Sequence, residues 1–387
     1  MLIQNKSIAI IGGGPAGLTL ARLLQLQNAD VKVYERDLNK NARVQGSPLD
    51  MHDESGMAAL TAAHLLEEFK KNFRPGADRT VILDSQMDVF YNEHTAETSE
   101  KDFGHEHFRP EIDRGPLRNM LLESLKPETV VWDSHFISMK PQDNGWLLHF
   151  KNGSSAYTDL VIAADGANSK IRPYLTDIKP VYTGILMLEG HVYEAEKNAP
   201  HIKALIRDGK IMAFGNDKNI LLGQKEQGEL GFYASFRAAE NWASESGLDM
   251  SDRNQMLEWF KKEYSEWSVL WHELFENAAV PFIPRPIYYM PQDKGWETQS
   301  NLTLLGDAAH VMPPFAGEGA NMAMLDALEL SKCLTSDQFL TLQEAIGYYE
   351  TQMRRRAGEA IRESIENGEK MHSETALEDM LKFFTEH

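Results

Sequence analysis

The sequence predicts an α/β protein, and three observations predict it. Ser7–Ile11, the glycine-broken turn Gly12–Pro15, the periodic run Ala16–Leu26 and the alternating run Asp30–Tyr34 read as strand, turn, helix and strand. Residues 129–163 hold four extended runs divided by Asn144-Gly145 and Asn152-Gly153, dipeptides that tolerate the positive φ of tight hairpins. Far downstream, the apolar run Asn301–Leu305 ends in Gly306-Asp307 and gives way to a Pro/Gly loop and a helix. The first unit is Rossmann-like, a second sheet-based region follows, and the C-terminus is helical.

The other elements follow in order. Ala58–Phe69 has helical spacing and Val81–Phe90 reads as a strand. Gly115-Pro116 opens a helix through Leu125, with proline in the first turn, where its missing N–H costs nothing. Asp159–Ala164 is nearly all apolar, as a central parallel strand should be, and ends in Asp165-Gly166. Residues 181–193 and 211–236 read as strands, with Tyr182, Met187, Met212, Phe214, Phe232 and Tyr233 available to face a cavity. Asn254–Phe275 is helical, with Trp267 and Trp271 at i, i+4 as helix core. Gly317–Leu334 is a helix that carries Cys333 on its apolar pattern. Leu342–Phe384 is helical with acidic faces and a break near Gly368.

Composition bounds the function. With 387 residues, 42% apolar and 25% charged, the chain is a soluble globular protein of enzyme size. Its 39 basic and 58 acidic residues leave a net charge of −19, which repels nucleic acid and anionic membrane. Arg354-Arg355-Arg356 sits among glutamates and reads as a solvated helix face. A single cysteine excludes an internal disulfide framework and a cysteine metal cluster, no metal site is expected, and a reducing cytoplasmic setting fits. The apolar stretch Ile8–Leu24 is interrupted by Gly12–Pro15, which suits neither a signal peptide nor a membrane span.

Two motifs carry chemistry. Gly12-x-Gly14-x-x-Gly17 lies between a strand and a helix: the first glycine permits the turn, the second lets backbone approach a pyrophosphate, and the third lets helix and strand pack closely, with Ala16 between them. Glu35, 18 residues after Gly17 and followed by Arg36, ends the next strand and suits ribose hydroxyls, disfavouring a 2′-phosphate. The adenosine held here is that of FAD or NAD. The second motif is Gly306-Asp307 with the loop Pro313-Pro314-Phe315-Ala316-Gly317-Glu318-Gly319-Ala320-Asn321. Its carboxylate suits a polyol and its helix N-terminus suits a planar anion, the two partners that ribityl and reduced flavin offer. The other reading is an ordinary strand–loop–helix joint with Asp307 as N-cap.

Together with Asp165-Gly166-Ala167-Asn168-Ser169-Lys170-Ile171-Arg172, these motifs resemble the group A flavoprotein monooxygenases, in family order over residues 8–321. Val33–Asp37, Glu111–Arg114, Leu117-Arg118 and Met312–Ala316 are similar to the tetracycline-inactivating branch of the TetX type. The resemblance implies FAD, held by Glu35 at the ribose, by Asp50 and Arg114 elsewhere and by Asp307 at the ribityl chain. It implies NADPH as a transient co-substrate that meets Arg43, and Asp165 serving both cofactors; the lesser alternative for Arg114 and Asp165 is to cap or tie loops. A flavin C4a-hydroperoxide would then transfer oxygen from O2 to an aromatic or enolic small molecule, tetracycline among the candidates, with no protein nucleophile and His310 structural.

At the positions where the TetX type grips the tetracycline A-ring with glutamine, arginine and histidine, ungapped matching gives Glu189, Lys210 and Gly231. Lysine lacks the bidentate fork of arginine. Glu189, Lys210, Met212, Phe232, Pro314 and Phe315 are the expected substrate contacts. Two alternatives stand beside this reading. A flavin-dependent halogenase would need a Trp-x-Trp-x-Ile-Pro stretch that the sequence lacks, and a flavin-binding sensor would bind FAD without hydroxylating anything. Because both glycine motifs serve one cofactor, the expected organisation is interleaved: an FAD-binding domain from 1–73, 101–178 and 296–350, a β-sheet substrate domain from 74–100 and 179–295, and a C-terminal helix over 351–387. A monomer is expected.

Overall fold

The computed structural model describes residues 2–42, 48–95, 103, 108–225 and 228–386. The chain divides into two compact units. The first comprises Met1–Phe73, Arg114–Val181 and Tyr289–Ser364, and the second Arg74–Asp113, Tyr182–Tyr288 and Ile365–His387. Among the described residues no helix is long and apolar enough to cross a membrane.

The first unit is built on a five-stranded parallel sheet in the order Leu302–Leu304, Leu160–Ala163, Ser7–Ile11, Asp30–Tyr34, Val130–Val131. Leu160–Ala163 and most of Ser7–Ile11 are apolar because both faces are covered, and Asp30–Tyr34 alternates; Ile8, Ile10, Val33, Val161 and Ile162 are buried. Register decides what this sheet presents. Ile11 pairs with both Tyr34 and Ala163, and Ala163 pairs with Leu304, so all four strands end in one row. Gly12, Glu35, Asp165 and Gly306 therefore emerge along one edge, the carboxyl edge where open α/β sheets bind ligands. A three-stranded antiparallel sheet, Phe136–Gln142, Gly145–Phe150 and Ser155–Thr158, supplies the two hairpins read from the asparagine–glycine pairs.

The second unit is built on a seven-stranded mixed sheet. Its order is Ile283–Tyr289, Val181–Val192, Leu230–Arg237, Lys218–Gln224, Lys210–Gly215, Thr80–Asp84, Val89–Asn92. One face is the core: Leu186, Leu188, Ile211, Leu222, Phe232, Ala234 and Phe236 pack on Trp259, Phe260, Phe275 and Phe282. The single helix expected over Asn254–Phe275 is two, Arg253–Glu263 and His272–Glu276. Asp252 caps the first, its carboxylate accepting from the backbone N–H groups of Asn254 and Gln255. Trp267 and Trp271 are both buried in this core, but from the connection between the two helices and not from one continuous helix.

The C-terminal region differs from expectation at one point. The helix Leu342–Met371 runs straight through Gly368, and the break falls between Met371 and Ala376, where Ala376–Glu386 begins. His372 accounts for it, since its ring Nδ1 lies 2.7 Å from the Gly368 carbonyl and satisfies a group that a helix end leaves open.

Candidate functional site

The three glycines of the N-terminal turn differ in what requires them. Gly12 has φ +114°, and a Cβ there would stand 2.2 Å from the Ala164 carbonyl oxygen. A Cβ on Gly17 would stand 2.1 Å from the Gly12 carbonyl oxygen, so helix and strand touch through it. Around Gly14, the residue preceding the helix Pro15–Leu26, no atom of the described residues beyond its chain neighbours lies within 4 Å of where a Cβ would be, and its φ of −79° suits any residue. Two glycines are thus explained by the protein, and Gly14 is the one that leaves room for something else. Ala16 is buried in the first turn of that helix.

Glu35 is buried and bound into the turn: Gly13 N–H donates to Oε2 at 2.6 Å and Asp37 N–H to Oε1 at 3.0 Å. Arg36 beside it is exposed. Asp165 accepts from Lys170 N–H at 2.8 Å, while its other carboxylate oxygen is buried without a hydrogen-bond partner. Arg172, at the end of the same motif, ties its own loop to the Asp307–His310 turn. Its guanidinium donates to the carbonyls of Ala308 (2.7 Å), Ala167 (2.8 Å) and Asp307 (3.1 Å).

Asp307 opens the single turn Asp307–His310 and presents an exposed carboxylate. Protein nevertheless surrounds it densely enough that desolvation raises its carboxyl above the usual carboxylate range, against the pull of His310, Arg114 and Arg172. An accessible group in so crowded a setting lines a recess. Arg114 is exposed at the start of the helix Arg114–Glu123.

The Gly317–Asn321 segment closes the row. Gly317 has φ +71°, and its missing Cβ leaves 3.2 Å to the Asp50 carboxylate. Asn321 is buried and tied to backbone: its amide nitrogen donates to Asp50 O at 2.9 Å and its oxygen accepts from His52 N–H at 2.9 Å. These bonds, with a longer one to the Gly317 carbonyl, fix the positions of Asp50 and Gly317. Gly319 and Ala320 form the first turn of Gly319–Thr335, behind Pro314, which is exposed, and Phe315, which is half-buried.

His52 gained no weight from the sequence, and the structure places it at the centre of this segment. Its Nε2 lies 3.1 Å from Asp50 Oδ2 and its Nδ1 3.1 Å from Glu318 Oε1. Burial opposes its charge, but the bonds to Asp50 and Glu318 prevail and raise its pKa to about 9. Arg43 lies outside the described residues. No cluster of metal-ligating side chains occurs among the described residues. A polar depression lined by Lys6, Ser7, Asp30 and Asp159 lies at the amino ends of the strands, away from every motif.

In the second unit, Glu189, Tyr233, Leu221 and Met212 form one cross-strand row, and Lys210 stands on the same sheet face. Phe232 does not. It is fully buried on the core face, against Phe275 and Phe282, because successive strand residues point to opposite sides; Tyr233 holds the position expected of it. Glu189 is buried, accepting from Arg285 Nε at 2.8 Å and facing His191 Nε2 at 3.1 Å. Burial works against its charge, and these two bonds outweigh it, lowering its pKa to about 2. Lys210 pairs with Glu111 at 2.5 Å. The bare surface over Gly231 is used by Lys225, whose Cε would stand 3.2 Å from a Cβ there and whose Nζ bonds Glu229 at 2.6 Å.

Comparison with known proteins agrees with this geometry. Residues 10–39 match the NAD(P)-binding Rossmann-like domain family and residues 295–364 the FAD binding domain family, the two stretches that carry Gly12–Glu35 and Gly306–Asn321. Along most of its length the chain is similar to FAD-dependent monooxygenases. It is 28% identical to monooxygenase asqM of Emericella nidulans, over 89% of this chain and 87% of that protein. It is 25% identical to 6-hydroxynicotinate 3-monooxygenase of Pseudomonas fluorescens, over 94% and 91%. The tetracycline destructase Tet(51) shares the fold, with a TM-score of 0.70 at 18% identity over 98% of this chain and 95% of that one. The residues present fit FAD: the open approach at Gly14 suits its pyrophosphate and the recessed Asp307 its polyol.

Proposed function

We propose that this monooxygenase uses NAD(P)H and O2 to hydroxylate an aromatic or enolic small molecule, with the first unit as the FAD-binding domain. The observation that carries the reading is Gly14, a glycine that nothing among the described residues requires, at the carboxyl edge where Glu35, Asp165 and Asp307 converge. Bound FAD supplies electron transfer and oxygen activation. This chain's residues do the rest: Gly12–Gly17 seats the pyrophosphate on a helix N-terminus, Glu35 meets the adenosine ribose, and Asp307 accepts from the ribityl hydroxyls. Asp50, Arg114, Asp165 and the Gly317–Ala320 turn complete the cradle, and Arg43 receives NADPH.

On the second sheet, Glu189 is already neutralised by Arg285 and His191, and Lys210 by Glu111. With His191 protonated, the cations His191, Lys225 and Arg285 exceed Glu189 and Glu229 by one charge, which favours a substrate bearing an anionic group. That the Pseudomonas relative is named for a hydroxynicotinate supports a hydroxyaromatic acid over tetracycline, as does the replacement of the A-ring contacts by Glu189, Lys210 and Gly231.

The test is NADPH consumption by the purified yellow protein, with tetracyclines and with a panel of phenols and hydroxyaromatic acids. The expected result is faster consumption with one of the acids and a product heavier by one oxygen. A protein that takes up no FAD refutes the reading, and a tetracycline product refutes its substrate arm.

A further inference from the structure

The Gly306-Asp307 turn is held from behind by residues that no step above uses. Gly306 leaves the sheet with φ +58° and ψ −144°, so its buried N–H has no strand partner and needs another acceptor. Asp326, in the middle of the helix Gly319–Thr335, provides it: Gly306 N–H donates to Asp326 Oδ2 at 3.0 Å. The same oxygen lies 2.5 Å from His310 Nε2, and the other oxygen accepts from Arg356 Nη2 at 3.3 Å. Asp326 and His310 are both almost fully buried, a setting where a carboxylate persists only if countercharge and hydrogen bonds surround it.

The turn is fixed at its other end as well, since the Gly306 carbonyl accepts from the backbone N–H groups of Ala309 and His310. His310 stands three residues after Asp307 on one helical turn, which puts both side chains on one side. Burial lowers the His310 pKa, and attraction to Asp326, the bond between them and attraction to Asp307 raise it further than burial lowers it. When His310 is protonated, its charge favours the Asp307 carboxylate over the acid, the form that accepts hydroxyl protons.

We propose that Asp326 is a positioning residue for the cofactor, holding through Gly306 N–H and the His310 imidazole the turn that presents Asp307, with Arg356 balancing its charge. The proposal rests on the assignment of Asp307 to the ribityl chain of FAD. Its effect reaches the flavin without contact. Two readouts separate it from mere packing: the FAD dissociation constant of the apo-protein, followed by flavin fluorescence, and the midpoint potential of the bound flavin.

Asp326→Asn keeps the shape but removes the charge and one acceptor. It is expected to raise the FAD dissociation constant at least tenfold and to shift the flavin potential. His310→Gln should do the same, and the double variant should be no worse than either single one, because the two act as a unit. Arg356→Gln, on the partly exposed outer end, covers the case in which Asp326→Asn does not fold, and should raise the constant about threefold with the thermal midpoint unmoved. Wild-type affinity and potential in the folded variants overturn this proposal alone. Failure of the wild type itself to take up FAD overturns the cofactor assignment with it.

Discussion

Replacing His52 by glutamine should cost this protein stability that depends on pH in a defined way. A neutral imidazole has one N–H, yet both ring nitrogens of His52 face carboxylates at 3.1 Å, so only the imidazolium satisfies Asp50 and Glu318 together. Burial works against that charge, and the two carboxylates more than offset it, moving the pKa from 6.5 to about 9. At 1.36 kcal/mol per unit the shift corresponds to about 3 kcal/mol. A raised pKa contributes fully below the unfolded value of 6.5 and is lost as pH rises through 9. At about 2.1 cal/mol/K per residue over the whole chain, 3 kcal/mol is roughly 4 °C in the thermal midpoint. Urea and thermal unfolding of wild type and His52→Gln at pH 6, 7.5 and 9.5 measure the gap. It should be near its full value at pH 6 and nearly closed at pH 9.5. A gap that stays constant across this range refutes the argument that a charge on His52 is what the segment needs.

Three further outcomes follow from particular contacts. Gly14→Ala should change apo-protein stability by less than about 1 kcal/mol but weaken FAD binding about tenfold, whereas Gly17→Ala, driven into the Gly12 carbonyl, should destabilise the apo-protein by about 2 kcal/mol or more; paired unfolding and FAD titrations check both. His372 is buried between Gly368 O and Ser235 Oγ, and burial lowers its pKa to about 4, so stability should fall by up to about 1.4 kcal/mol per pH unit between 6.5 and 4. His372→Gln should flatten that acid limb in a pH series of unfolding curves. Lys225→Met should raise KM about tenfold for an anionic hydroxyaromatic substrate and leave KM for a neutral phenol unchanged, in steady-state NADPH assays.

The parallel sheet was legible because its signals are local. Ser7–Ile11, the glycines and Asp30–Tyr34 lie within a few dozen residues, and their period and turn chemistry agree. The Gly306-Asp307 turn was legible for a different reason, a glycine set just after a short apolar strand. What escaped the sequence is what depends on distant partners. His52 meets Glu318 266 residues away, and Asp326 has the look of any polar residue on a helix until Gly306 and His310 arrive beside it. Lys225 occupies the space over Gly231 from a loop, where strand alignment has nothing to say. Phe232 and Tyr233 alternate, so one of them had to face the core, and only the register against Gly190 and Leu222 decides which.

The order of strands in the first sheet bears on how the protein is made. The strand before Asp307 joins at an outer edge, beside Leu160–Ala163, and Asn321 ties the last loop back to Asp50. A chain emerging from the ribosome thus carries the Gly12–Gly17 turn long before Gly306-Asp307, and the tie from Asn321 to Asp50 forms later still. On the proposed assignment of both motifs to FAD, the cofactor cannot act as a ligand that stabilises the nascent fold until then. Flavin supply during synthesis should therefore govern how much finished chain survives, rather than how the early strands assemble.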